Sequence, residues 1–232
     1  MEPVIRAVRD ADSFALIEVA RLEWTKFQAQ SLERISEAFA EHADGAPVSL
    51  HLDHIPVIDE DGERVDYISI INRAIAAGYQ SVMVDGSRLP LDENIRATRE
   101  VAERAHEAGV PCEAELGAVM GHEAGPLPPY EKLFASKAGF TDVAEATRFV
   151  QESGCDWLSV AAGSIHGAVS GVKKDQKKVE ARLDVDHIRE LSRACNVPLV
   201  LHGGSGIKRE YVLEGIKAGI CKVNVGTELR QT

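Results

Sequence analysis

The sequence predicts an α/β fold in which a parallel sheet closes into a (β/α)8 barrel of the TIM type. Three observations predict it. Short β-rich apolar runs recur along the chain, a longer stretch with helical spacing follows each run, and tight hairpin signals between runs are lacking. Strands joined through helices in this way run parallel. An open dinucleotide-binding sheet would carry GxGxxG after an early strand, and that pattern is missing, so the barrel is favoured.

The expected strands, in order, are 14–19 (FALIEV), 48–52 (VSLHL), 81–84 (SVMV), 111–116 (PCEAEL), 157–161 (WLSVA), 199–202 (LVLH) and 222–225 (KVNV). The expected helices are 32–40, 67–77, 91–108, 142–152, 184–194 and 210–218. In 91–108, Ile95, Val101 and Ala105 fall near one face while charged residues cover the other. Gly78, Gly109, Gly154 and Gly219 each follow a helix and precede a strand, where a left-handed cap is wanted. The count stops at seven strands and the chain ends directly after the last. A first strand and a final helix are therefore expected to be missing from this sequence, which otherwise reads as a single barrel domain over residues 1–232.

Composition narrows the function classes. A chain of 232 residues suits one large core. With 44% hydrophobic, 27% charged and 5% aromatic residues it is not a disordered chain, a collagen-like repeat or a coiled coil. Twenty-six Lys and Arg against 37 Asp and Glu leave a net charge of -11, the wrong sign for gripping nucleic acid or an anionic bilayer. No nucleic-acid or membrane partner is expected, and any phosphate must be bound locally. There is no run of 18 apolar residues, and the opening MEPVIRAVRDADSF lacks the pattern of a signal peptide, so the expected location is the cytoplasm. Cys112, Cys155, Cys195 and Cys221 are widely spaced beside apolar runs, as buried thiols of a reduced compartment would be.

Two loops interrupt the alternation. Residues 117–140 are rich in Gly and Pro, as in a functional lid or a mobile segment. Residues 168–181 carry Lys173, Lys174, Lys177 and Lys178, which fit either a solvated surface loop or attraction of phosphate.

The chemistry-bearing residues gather at strand ends. His51, Asp53 and His54 close the second strand, Asp85 the third, Glu115 lies in the fourth, His166 follows the fifth and His202 ends the sixth. In a parallel barrel these ends open onto one face, where catalysis occurs. Three histidines from separate strand ends, His54, His166 and His202, suit Zn2+ with one position left open. Asp53 precedes His54, so their side chains point in different directions, which fits a general acid/base or a carboxylate that orients a histidine. His51 reads as a core or supporting residue, while His42, His106 and His187 are assigned to the surface. LHGGSG (201–206) lies between a strand and a helix, and NVGT (224–227) ends the next strand. Both can be tight turns, and as a pair in the last two loops they point to a phosphorylated ligand.

LHLDH (50–54), SVMVDGS (81–87), ENIRATREV (93–101), EAELG (113–117), GSIHG (163–167), PLVLHGGSG (198–206) and GICKVNVGTEL (219–229), in that order, resemble the class II, zinc-dependent fructose- and tagatose-bisphosphate aldolases. The resemblance covers most of the chain from Val48 onward. It implies reversible cleavage of a ketose bisphosphate, of the fructose-1,6-bisphosphate or tagatose-1,6-bisphosphate type, to dihydroxyacetone phosphate and an aldehyde, with Zn2+ stabilising the enediolate. It implies zinc on His54, His166 and His202, Asp53 as the acid/base, and Glu123 as the carboxylate exchanging the donor-carbon proton. Asp85 and Glu115 are similar to carboxylates that hold a second divalent metal or an alternative zinc position. Gly167, Gly203, Gly204, Ser205, Asn224, Val225, Gly226 and Thr227 resemble the dihydroxyacetone phosphate site, where some members also bind Na+ or K+. A homodimer or homotetramer is implied as well.

A Schiff-base lysine, which the class I mechanism needs, is not expected: WLSVAAGSIHG has no Lys, and Lys222 is read at the start of its strand, away from the catalytic end. The chain departs from the family pattern in a longer stretch between His54 and Asp85, in GHEAG where GGxED is common, and in Ala168-Val169 where an aromatic residue is usual. The alternatives are an aldolase for a deoxy or inositol-derived sugar phosphate, and a noncatalytic or diverged barrel that binds metal or sugar phosphate.

Overall fold

Seven strands form one parallel sheet in sequence order: β1 (Ala15–Ala20), β2 (Val48–Pro56), β3 (Ser81–Asp85), β4 (Cys112–Leu116), β5 (Trp157–Val160), β6 (Leu199–Leu201) and β7 (Ile220–Val223). The computed structural model describes residues 1–27, 29–117, 130–164, 181–226 and 229. The helices are α1 (Glu2–Asp10), α2 (Arg21–Thr25), α3 (Leu32–His42), α4 (Tyr67–Ala76), α5 (Leu91–Glu107), α6 (Tyr130–Ser136), α7 (Val143–Ser153), α8 (Val185–Cys195) and α9 (Arg209–Ala218). Every expected strand and helix is present. β2 runs on to Pro56, and β7 begins at Ile220, ahead of the expected start. Of the unforeseen helices, α1 carries Pro3 in its first turn, where it is tolerated, and buries Ile5. α6 lies inside the stretch read as loop and is tied down by the Tyr130 hydroxyl, 3.0 Å from the Gly163 carbonyl.

Local chemistry sets the boundaries. Asp142 caps α7 by accepting from the amides of Ala144 and Glu145, both at 2.9 Å, and Gly154 ends it at φ +72°. The other three expected cap glycines also have positive φ. Ile95, Val101 and Ala105 are all on the buried face of α5.

Strand alternation divides the sheet into two unlike faces. Outward-facing Leu50, Leu52, Val82 and Val84 pack with Ile71 and Val101 of the helices, and Leu158, Val160, Leu199 and Leu201 with Phe149, Ile188 and Leu191. Each such side chain stabilises the fold by about 1.5–3 kcal/mol. The inner face is polar. There Glu18 of β1 reaches Lys222 of β7 at 2.8 Å, so the outermost strands meet through side chains and the sheet is curled like part of a barrel. At the strands' N-terminal end lies an apolar cavity of about 400 Å3, lined by Phe14, Leu16, Trp157 and Val200 among others.

Three expectations are corrected. Cys112, Cys155 and Cys195 are buried free thiols, but Cys221 is exposed because it points outward from the edge strand β7. His187 is buried, not superficial: it lies on the inward face of α8 and its Nε2–H donates to the Thr141 carbonyl at 2.8 Å. Lys222 is within β7, not at its start, and faces the interior. Among the described residues no helix is long and apolar enough to cross a membrane.

Replacing Asp142 with Ala removes both capping bonds of α7 and should lower the unfolding free energy by ~1 kcal/mol, read from urea denaturation.

Candidate metal centre at the C-terminal ends of the strands

The end of β2 is irregular. Its register with β3 shifts between Leu52 and Ile55, and His54 adopts φ +45°, a left-handed conformation that a side chain other than glycine rarely takes. The His54 amide is held by the Met83 sulfur at 3.4 Å. This bulge lets two consecutive residues serve one site: Asp53, His54 and His202 present ligand atoms all within 4.8 Å of one another.

Neighbouring strands complete the cluster. His54 Nδ1 is 3.4 Å from Asp85 Oδ2 and 3.5 Å from Glu115 Oε2, and His202 Nδ1 is 3.5 Å from the same Glu115 oxygen. The two imidazole rings stand edge to face with centroids 4.4 Å apart. His202 Nδ1 and Glu115 Oε2 are buried and make no hydrogen bond, although buried polar atoms are normally satisfied. Ligands at about 2.0–2.1 Å on a tetrahedral ion lie about 3.3–3.4 Å apart, so the observed spacings and the orphaned atoms fit a small divalent cation.

The electrostatics agree. Burial, reinforced by the charge of Asp85, pushes the Glu115 carboxyl well up. Burial acts the same way on Asp85 and Asp53, but the cationic form of His54 beside both, with Ser87 on Asp85, holds them well below the usual carboxylate range. For His54, burial favours the neutral ring, yet Asp53 and Asp85 outweigh it and raise the pKa. Without an added positive charge, the imidazole supplies what these carboxylates need.

A second polar layer lies beneath. Glu113 and Glu115, two apart on β4, share the inner face. Glu113 Oε1 accepts from His202 Nε2 at 3.1 Å, and Lys222 Nζ donates to Glu113 Oε2 at 2.7 Å. Burial raises Glu113, but Lys222 and His202 bring it down to about 2, whereas burial and Asp53 push Glu18 up to about 8. Of the two carboxyls on Lys222, Glu113 is the one held low. Buried His51 pairs with Ser81 Oγ at 2.7 Å, and burial followed by Lys222 lowers its pKa to about 4, so its ring is neutral. Glu18, Glu113 and Lys222 were missed as site residues. The spacing of Glu113 and Glu115, and of Lys222 and Asn224, was the available signal.

Of the expected residues, Asp53, His54, Asp85, Glu115 and His202 come together, and Asn224 Nδ2 donates to Asp53 Oδ1 at 3.3 Å. Gly203, Gly204 and Ser205 follow β6, but the Gly204 amide is engaged by the Asn224 carbonyl at 3.0 Å. A Cβ at Gly204 would lie 2.6 Å from Val223 Cγ1, so this glycine serves the packing of β6 against β7. Val225 and Gly226 are exposed beyond β7. His166, Gly167, Thr227, Glu123 and the four lysines lie outside the described residues.

A curled parallel sheet with histidines and carboxylates converging at its C-terminal ends defines an α/β architecture whose clustered side chains can hold a metal ion. The chain belongs to the class II fructose-bisphosphate aldolase family, whose model matches residues 1–232. It is 40% identical over 81% of its length to a 6-phospho-5-dehydro-2-deoxy-D-gluconate aldolase of Bacillus velezensis, covering 56% of that protein. It is 36% identical over 78% of its length to a fructose-bisphosphate aldolase of Staphylococcus aureus, covering 55% of it. The chain thus spans little more than half the length of these curated relatives. The crystal structure of the YdjI aldolase from Escherichia coli K12 superposes with a TM-score of 0.76 at 33% identity, over 98% of this chain and 72% of that one.

Ser87 holds Asp85 Oδ1 through its hydroxyl at 2.6 Å and its amide at 3.0 Å. Ser87→Ala should weaken the binding of an added divalent metal about 10-fold in chelator competition, with little change in melting temperature.

Proposed function

We propose that this protein is a metal-dependent aldolase that cleaves a phosphorylated ketose reversibly to dihydroxyacetone phosphate and an aldehyde. The observation that carries the reading is the convergence of His54, His202, Asp85 and Glu115 on one point, with two buried lone-pair atoms left without partners. Zn2+ is the metal we assign, on His54 and His202, with His166 as the third ligand by its motif. Asp85 and Glu115 offer a second or alternative position. A cation held there would supply Lewis acidity to a substrate's ketone oxygen.

The chain's own residues do the rest. Asp53 is ionised, lies beside both histidines and has one oxygen fixed by Asn224, so it is placed to take the proton from the substrate hydroxyl as the carbon–carbon bond breaks. Glu123, by its motif, exchanges the proton on the donor carbon. By their motifs, Gly167, Gly203 to Ser205 and Asn224 to Thr227 are the residues we assign to phosphate, and of these Gly203 to Ser205 lie just ahead of the N-terminus of α9. Lys222 does not provide a Schiff-base amine: burial disfavours its charge, but Glu113 and Asp53 prevail and keep it an ammonium. The architecture that goes with this reading is a single (β/α)8 barrel domain, supported by the meeting of β1 and β7 side chains. The buried free thiols support a reducing compartment such as the cytoplasm.

Fructose and tagatose bisphosphates are the first substrates of this reading. A second, a phosphorylated deoxy sugar acid, is favoured by relatives of that name at 37–40% identity. A panel of ketose mono- and bisphosphates with 6-phospho-5-dehydro-2-deoxygluconate, scored by the three-carbon product released, separates the two. Chelator should abolish turnover and borohydride with substrate should not; chelator-resistant cleavage overturns the reading. Asp53→Asn should lower kcat by about 100- to 10,000-fold while zinc stays bound, measured by steady-state kinetics and metal analysis.

A further inference from the structure

Lys222, Glu113 and His202 form a continuous chain of contacts from β7 through β4 to β6, all on the inner face. Glu113 is fully buried and accepts at both oxygens: Oε2 from the Lys222 ammonium and Oε1 from His202 Nε2. A carboxylate only accepts, so the proton of the His202 ring belongs on Nε2 and its lone pair on Nδ1. Nδ1 is the buried atom without a partner that faces Glu115. Lys222 also bonds Glu18 at 2.8 Å, and its Nζ lies 3.4 Å from His51 Nε2. Glu18, His51 and Asp53 converge closely enough to suggest a second metal position, but the lysine ammonium already fills the role of cation there.

We propose that Lys222 and Glu113 are positioning residues: the built-in ammonium keeps Glu113 as a buried hydrogen-bond acceptor, which fixes the His202 ring with Nδ1 open to the metal. The inference deepens the metal-site reading above and rests on His202 as a ligand. Without Lys222, Glu113 Oε2 loses the donor that fixes it in the buried interior, and the carboxyl whose Oε1 holds the His202 ring is no longer locked in place.

The test has two parts. Nitrogen-15 imidazole spectra of the zinc-free wild-type protein, with the His202 signal assigned by His202→Gln, should show the Nε2–H tautomer; an Nδ1–H ring overturns the proposal. Chelator competition should then find zinc binding weakened about 10- to 100-fold in Lys222→Met. The double variant Lys222→Met with Glu113→Gln, which removes both charges and keeps an acceptor on His202, should recover most of that loss. Wild-type affinity in Lys222→Met, or a double variant no better than the single, overturns the proposal. If Lys222→Met does not fold by circular dichroism, the tautomer in the wild-type protein still decides. Turnover enters neither part, so a protein that binds zinc and cleaves no ketose phosphate would defeat the aldolase reading and leave this one standing.

Discussion

A glutamate with no solvent exposure cannot remain ionised unless a cation accompanies it into the interior. The Lys222–Glu113 pair meets that condition, and much of the inner face depends on it. Barrel interiors are usually filled with branched apolar side chains. On the inner face of this curled sheet stand Glu18, His51, Asp53, Glu113, Glu115 and Lys222, and each is acceptable only because another lies within reach. Removing one member of such a pair typically costs about 3–5 kcal/mol, because the charge left behind is stranded. The apolar helices on the outer face supply the stability that lets the strands carry this load.

The bulge in β2 is the second device. Regular alternation would send Asp53 and His54 to opposite faces, giving the site one of them and the helix layer the other. The left-handed residue at His54 re-aims the strand, at a conformational cost of order 1–3 kcal/mol. Tight surroundings sustain it: Ile55 and Val57 beyond the bulge are fully buried and anchor the chain on the far side.

Strands and helices were legible because periodicity reports on burial, and burial here is cleanly divided between an apolar outer face and a polar inner one. The convergence of Asp53, His54, Asp85, Glu115 and His202 was legible because strand ends in a parallel sheet share a face. What escaped reading has a common cause. Lys222, Glu113 and His187 have interior roles set by partners between 46 and 109 residues away in the chain, and no local pattern encodes a partner. Charged residues in a strand read as exposure, and a histidine in a charged helix reads as surface. Gly204 was legible as a turn, but its crowding by Val223 needed coordinates.

Strand β4 places Glu113 and Glu115 inward while Cys112, Ala114 and Leu116 face the helices. A slip of one residue would invert this, setting two carboxylates in the hydrocarbon layer and leaving the interior without its anions. Misregistered chains would therefore not assemble the His54–Asp85–Glu115 cluster at all. An ion that binds only the correctly threaded strand selects it by mass action, by about 2.7 kcal/mol at a concentration 100 times its dissociation constant. A cation held by that cluster would thus also proofread the fold.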